Sequence, residues 1–274
     1  MSTHASVIDE DLAAAVRHGN VQLALDLLKQ GANPDAFKPE KTPLLYACQH
    51  YPELIDPLIE AGASLEPYFQ DVGTGRIKGV LCFAIQEETG EAIEVLVRHG
   101  LNFAEHSEAL FDAVGKVSLH QNIRRVLELG ADPNCIVGER RCMPLHMAAF
   151  FGHPKNAQAL IDGGALLDAR HLAYITAAGV KGPAQDGATP LRLAGHQGHL
   201  KVMKTLLEAG ASVDEGMLNR AYWGVNKSIP EVADEVVRLV SSYAIRRSIQ
   251  DAMSSDVSSS DDVGRLSSAD PTPL

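Results

Sequence analysis

Basic residues are in the minority in this chain. Its 274 residues contain 24 Lys and Arg against 35 Asp and Glu, which gives a formal net charge of −11 at pH 7. Because contacts with a phosphate backbone need a basic face, this balance argues against a general nucleic-acid-binding protein. Hydrophobic residues make up 45% of the chain, which is too many for a wholly disordered protein and enough for one or two domains with a substantial core.

Long apolar runs and abundant cysteine are also missing. No run approaches the roughly 18 residues of a membrane-spanning helix, and the N-terminus has neither a basic start nor an apolar stretch, so we expect no secretory signal peptide. The 4 cysteines are too few for a disulfide framework. Cys48 and Cys82 lie in apolar, core-like segments. Cys135 and Cys142 flank a turn-like stretch that is compatible with a disulfide, although reduced thiols of a cytoplasmic protein fit the remaining sequence better.

Catalytic and metal-binding motifs are absent from the sequence as well. It contains no nucleotide-binding glycine loop, no His-Glu-x-x-His and no Gly-x-Ser-x-Gly. Gly73-Thr74-Gly75 is glycine-rich but precedes no phosphate-binding helix, and we interpret it as a flexible linker. The 11 histidines are scattered without the spacing of a metal site. We therefore expect a non-enzymatic protein without catalytic residues, metal or cofactor.

What the chain does contain is a repeat. An amphipathic run that closes on glycine recurs with a period of roughly 33 residues and two longer intervals, at Gly31, Gly62, Gly100, Gly130, Gly164 and Gly210. In the last unit, Thr189 and Pro190 are a typical helix start, and a second amphipathic helix is predicted from Leu200 to about Ala209. Gly210 would then end that helix in the left-handed conformation. Since one helix pair cannot bury its own apolar stripe, such units must stack into a solenoid.

The repeat resembles that of the ankyrin-repeat family. The resembling segments are Thr42-Pro43-Leu44, Met143-Pro144-Leu145-His146, Thr189-Pro190-Leu191, Gly152-His153 and Gly198-His199, together with the Gly-Ala pairs at the helix ends. The resemblance implies an all-α solenoid of stacked helix–turn–helix units with hairpin-like loops. It implies about six repeats plus a C-terminal capping repeat, and a structural role in the turn for the two histidines.

The repeat pattern also predicts the domain boundaries. A flexible N-terminus (1–8) precedes one ankyrin-repeat domain (9–250), and a disordered Ser/Asp-rich tail (251–274) follows it. Within the domain, the units fall near 9–40, 41–76, 77–106, 107–140, 141–185 and 186–216, with the cap at 217–250.

Two features depart from the family pattern. Pro57 falls inside a second helix, where an interior proline costs roughly 3 kcal/mol, so we expect a kink or a shortened helix. The linkers at 64–78 and 168–186 are longer than the family norm, and the second is long enough for an extra helical turn or a binding loop.

The resemblance also indicates where a partner binds. In ankyrin repeats, the residues two and three positions after a shared first-helix alanine end that helix and face a concave groove, which binds partners together with the loop tips. Most residues at these positions are polar, as a solvated groove requires, but three are aromatic. Our candidate partner-binding residues are Gln49, His50, Gln86, Glu87, Phe150, Phe151, His196, Gln197 and Trp223, with Tyr174 from the 168–186 linker.

The aromatic candidates have two interpretations. An apolar patch on a polar groove marks a partner site. Alternatively, the 168–186 linker covers Phe150 and Phe151 with its own apolar residues, Tyr174 among them, and Trp223 packs within the cap.

Together these features predict a monomeric protein–protein interaction module that binds neither nucleic acid nor membrane. The acidic net charge predicts a protein partner with a basic patch. An alternative remains open, in which the chain is a regulatory inhibitor, an immunity-type protein or a secreted effector that binds and neutralises one specific target.

Overall fold

The computed structural model describes residues 2–35, 41–66, 69–70, 77–87, 90–136, 142–170, 188–218 and 230–260. Its helices are α1 Ser2–Arg17, α2 Val21–Lys29, α3 Pro43–His50, α4 Ile55–Glu60, α5 Val80–Ala84, α6 Glu91–Arg98, α7 Ser107–Val114, α8 His120–Glu128, α9 Pro144–Phe151, α10 Pro154–Asp162, α11 Pro190–Gln197, α12 Leu200–Glu208 and α13 Pro230–Ser260. Short 3₁₀ turns occupy Pro52–Leu54, Phe103–His106 and Glu215–Leu218.

Helices α1 to α12 form two layers, stacked in chain order. The first-helix layer consists of α1, α3, α5, α7, α9 and α11, each packed on the next, and every member also packs on the helix that follows it in sequence. Those following helices, α2, α4, α6, α8, α10 and α12, form the second-helix layer. This order is that of the predicted solenoid, with six helix pairs in the described ranges, and α13 packs on the end of the stack against α12.

The only β-strands among the described residues are two segments of two residues each. Strands β1 (Phe69–Gln70) and β2 (Ile77–Lys78) pair antiparallel just before α5, with Phe69 opposite Lys78. They form within the long 64–78 linker and leave the all-α character of the fold unchanged. The other long linker lies largely outside the described residues, which stop at 170 and resume at 188.

The helix ends follow the sequence rules. Thr189 accepts a hydrogen bond from the Arg192 amide at 3.3 Å, and Pro190 begins α11. The six glycines predicted to end second helices all have φ between +86° and +103°. A Cβ added at any of these six would meet no atom within 4 Å, so the backbone conformation, and not lack of space, requires glycine there.

Pro57 gives the predicted shortened helix. The second helix of this unit starts as the 3₁₀ turn Pro52–Leu54 and continues as the six-residue α4, whereas α2, α8, α10 and α12 each have nine residues. Pro57 is the third residue of α4, in the first turn, where backbone N–H groups have no partner within the helix.

Helical structure extends further at both ends than the sequence predicted. Helix α1 begins at Ser2, within the segment expected to be flexible, and α13 continues to Ser260, into the expected disordered tail. Neither 2–8 nor 251–260 contains Gly or Pro, so nothing in the backbone chemistry interrupts a helix that is already nucleated. The predicted first helix of the cap lies mostly outside the described residues.

Candidate protein-binding groove

The predicted groove residues lie together at one end of the first-helix layer. Among the candidates within the described residues, His50, Phe151 and Gln197 are exposed, and Gln49, Gln86, Phe150 and His196 are half-buried. Tyr174 and Trp223 lie outside the described residues. Of these candidates, Gln86 and Phe151, which are far apart in sequence, line a common pocket.

Glu87 differs from this pattern. Its side chain is only 8% exposed, and Oε2 accepts a hydrogen bond from the Gly90 amide at 2.6 Å. Its backbone carbonyl accepts another from Asn122 Nδ2 at 2.6 Å. Glu87 is thus a structural residue of the turn before α6, which corrects its assignment as an exposed groove residue.

His196 is uncharged at neutral pH. Burial, reinforced by the nearby charge of Arg192, lowers the pKa of His196 to about 4. The side chain is therefore a neutral imidazole and adds no positive charge at pH 7.

The two phenylalanines form an ordered aromatic pair. Their rings meet edge to face with centroids 5.2 Å apart, and the Phe151 ring stacks on His153 at 6.1 Å. Phe151 also lies over Gly115 of the preceding unit, where an added Cβ would be 3.3 Å from the ring. Phe151 remains 44% exposed.

Turn histidines hold successive units in register, as the resemblance implied. His153 Nε2 donates to the Gly115 carbonyl at 3.0 Å, and His199 Nε2 donates to the Phe150 carbonyl at 3.0 Å. Gly115 and Phe150 occupy equivalent positions two residues after the shared alanine, so the same bond recurs in successive units. The backbone that carries the groove side chains is therefore fixed by the next unit.

A pocket of about 330 Å³ opens between α5 and α7. Lys78 and Lys116 line it together with Gln86 and Asp112, and Phe151 forms part of its wall. Lys78 lies just before α5 and Lys116 just after α7, so only the stacking of the two units brings them together. Sequence reasoning missed this pocket, because Lys78 is outside the positions that the family pattern singles out.

Lys41 lies next to this pocket and is held in place. Its Nζ donates to Gln49 Oε1 at 3.0 Å and lies 4.5 Å from the centroid of the Phe83 ring, which is a cation–π distance. Burial, and then the charge of Lys78, lower the pKa of Lys41. Burial and Lys78 likewise lower the pKa of Lys116, partly offset by Asp112.

The described residues bring no three His, Cys, Asp or Glu side chains into a metal-binding arrangement. Among the helices that the structure describes, none combines the length and apolarity needed to cross a membrane. All four cysteines are buried thiols, and burial raises the pKa of the Cys48 thiol far above its usual value.

Comparison with known proteins identifies the repeats. Residues 120–216 match the family model for ankyrin repeats, in three copies. The ankyrin repeat domain of Bcl-3, described as a unique member of the IkappaB protein family, is similar in structure, with a TM-score of 0.58 and 23% identity over 73% of this chain and 86% of that one. The human ASB11 ankyrin repeat domain gives a TM-score of 0.56 and 19% identity over 74% and 85%. No curated protein sequence matches the chain.

These findings define the fold. The chain has the ankyrin-repeat fold, a solenoid of helix–turn–helix units. Residues 120–216 carry the sequence signature of ankyrin repeats, in three copies. Ankyrin repeats are protein–protein interaction modules.

Proposed function

We propose that this chain is a non-enzymatic interaction module that binds a protein partner through its concave groove and loop tips. The observation that carries the proposal is the exposed ring of Phe151, at a groove position where most other units have polar residues. Large aromatic side chains are the favoured anchors of protein interfaces. Phe151 is also fixed on three sides by Phe150, His153 and Gly115.

Rigid presentation is the mechanism. Hydrogen bonds between successive units, such as that from His199 to the Phe150 carbonyl, fix the backbone before any partner arrives. Association then loses little conformational entropy on this side of the interface. An interface of about 1,600 Å² is typical of such complexes, and the remaining groove candidates, Gln49, His50, Gln86, His196 and Gln197, supply polar contacts around the aromatic anchor.

Several finer expectations stay predictions. They are contacts by Tyr174 and Trp223, a monomeric state, a cytoplasmic location and a partner with a basic patch. The net charge of −11 supports the last of these through electrostatic steering.

Capture of partners from the native lysate tests the proposal. Phe151→Ala should abolish capture of the groove partner, because truncation of a central aromatic anchor typically costs about 2 kcal/mol or more. Leu129→Ala is the matched control, since Leu129 is 37% exposed at the end of α8 in the second-helix layer. Melting temperatures of both variants check the fold.

The proposal fails if Phe151→Ala lowers the melting temperature but keeps every partner. The number of captured proteins also bears on the alternative function. Tight, salt-sensitive 1:1 binding to one protein would indicate an inhibitor or immunity-type role, whereas several partners would indicate a scaffold.

A further inference from the structure

Carboxylates are distributed unevenly among the described helices. Every helix of the second-helix layer carries at least one Asp or Glu. In the first-helix layer from α3 to α11, α7 alone carries any, namely Glu108 and Asp112. Helices α3, α5, α9 and α11 therefore carry no carboxylate of their own, although α1, at the start of the layer, carries Asp9, Glu10 and Asp11.

Three lysines converge near the pocket between α5 and α7. Lys78 and Lys116 line the 330 Å³ pocket between α5 and α7, and Lys41 lies beside Lys78 at the equivalent position of the preceding unit. Asp112 is the one acidic residue that lines the pocket, against two lysines. We call Lys41, Lys78 and Lys116 the lysine cluster; among the described residues that line the pocket, lysines outnumber carboxylates by two to one.

A bound anion would stabilise the lysine cluster. Burial, and then the charge of Lys78, lower the pKa of both Lys41 and Lys116, so the ammonium groups are partly desolvated and repel one another. A carboxylate that enters between Lys78 and Lys116 would offset this repulsion and gain charge-assisted hydrogen bonds. Because the lysines are already converged, little reorganisation opposes binding.

The walls of the pocket favour a peptide over a small anion. Phe151 and Met147 line the same pocket as the lysines, so an apolar side chain that neighbours a carboxylate has a surface to pack on. A free inorganic anion would leave this apolar surface unused.

We propose that the lysine cluster and the Phe151 side of the pocket bind an extended acidic segment of the protein partner. This inference rests on the proposed function, since it names the chemistry of the partner at the groove. The Asp or Glu side chains of the segment contact Lys78 and Lys116, and an adjacent apolar side chain contacts Phe151.

Binding of defined peptides to the full chain tests this assignment. The probes are two fluorescein-labelled peptides of equal length, one with four glutamates around a single phenylalanine and one with glutamine in place of each glutamate. The double variant Lys78→Glu/Lys116→Glu reverses the charge of the pocket. Lys155→Glu/Lys201→Glu changes the net charge by the same amount at two exposed lysines of α10 and α12, and Lys78→Arg/Lys116→Arg keeps the positive charge.

We expect both the wild type and the arginine variant to bind the acidic peptide more tightly than the glutamine peptide. Lys78→Glu/Lys116→Glu should weaken binding of the acidic peptide by about tenfold or more. Lys155→Glu/Lys201→Glu, the matched control, should change it by less than about threefold. Equal weakening by both reversals would overturn the inference, because net charge alone would then explain binding.

A fourth variant, Phe151→Ala, separates this inference from the proposed function. If the two peptides bind equally and Phe151→Ala abolishes both interactions, the groove binds peptides but not through the lysine cluster, and only the inference fails. If neither peptide binds, the inference also fails. Capture from the lysate with the Phe151→Ala variant then tests the proposed function independently. Melting temperatures above the assay temperature confirm that each variant is folded.

Discussion

Single side chains of one unit bond to the backbone of the unit before it. Asn156 Nδ2 donates to the carbonyls of Val114 and Lys116 at 3.0 and 2.7 Å. Asn122, at the equivalent position one unit earlier, donates to the carbonyls of Ile85 and Glu87. These carbonyls lie at the C-terminal ends of first helices, where no partner exists within the helix. Each asparagine therefore joins two units and satisfies buried acceptors.

Replacing Asn156 tests this role. Asn156 is fully buried, so Asn156→Ala leaves two carbonyls without their donor and should lower the free energy of unfolding by about 1–3 kcal/mol. Gln158→Ala on the same helix is the control, because Gln158 is exposed and bonds only to the exposed Asp162 among the described contacts. Denaturant unfolding measures both, and an equally small effect of the two substitutions would contradict the assigned role.

Sequence reasoning at this scale succeeds where conformation is local. The six helix-ending glycines and the cap of Thr189 are encoded within a few residues, so the repeat pattern is enough to predict them. The burial of Glu87 is different, since it depends on the turn to Gly90 and on Asn122 from the next unit. The position of a residue within the repeat predicts its local backbone conformation. It does not predict which residues of a neighbouring unit cover its side chain.

The second helix of the second unit illustrates how an element accommodates proline. An interior proline removes a backbone hydrogen bond and collides with the preceding turn. Here the helix is divided, and Pro57 becomes the third residue of α4 after a 3₁₀ turn. The proline thus lies in a first turn, where the missing N–H has no helical partner to lose. Ile55 and Leu58 of α4 still reach the core, since both are fully buried.

Pro57→Ala should therefore change stability by less than about 1 kcal/mol. Removing an interior proline from a helix would stabilise it by roughly 3 kcal/mol, but here the main effect is a more flexible unfolded chain, which works in the opposite direction. Pro154→Ala at the first residue of α10 is the matched control and should behave alike. A gain close to 3 kcal/mol for Pro57→Ala alone would mean that the proline strains the folded helix.

At the scale of the whole molecule, the stack determines which charges lie next to one another. Net charge is a property of composition, and from it alone we expected a basic partner. Helices α3, α5, α9 and α11 carry no carboxylate, and the stack brings Lys78 and Lys116 together at one pocket with Lys41 beside it. The sequence spacing of these lysines, with the first two before helices and the third after one, carries no sign of their proximity. The solenoid was predictable from periodicity, whereas the surface it presents depends on which side chains adjacent units bring together.

Helix α13 closes the stack and provides the strictest test of its organisation. Val236 and Val240 are fully buried, Tyr243 Oη donates to Glu208 at 3.1 Å, and Arg247 donates to the Gly210 carbonyl at 3.2 Å. Deleting residues 230–274 exposes the apolar side of α12 that α13 covers.

In a solenoid, each unit is stabilised mainly by its neighbours. The deletion should therefore speed amide hydrogen exchange in α11 and α12 by about tenfold or more, corresponding to a local loss of at least about 1.4 kcal/mol. Exchange in α1 and α3 should stay unchanged, and a shorter deletion of 261–274, which retains α13, should leave all helices as in the full chain. Uniform acceleration from α1 to α12 would instead mean that the chain unfolds as one cooperative unit, and the nearest-neighbour account of its stability would then be wrong.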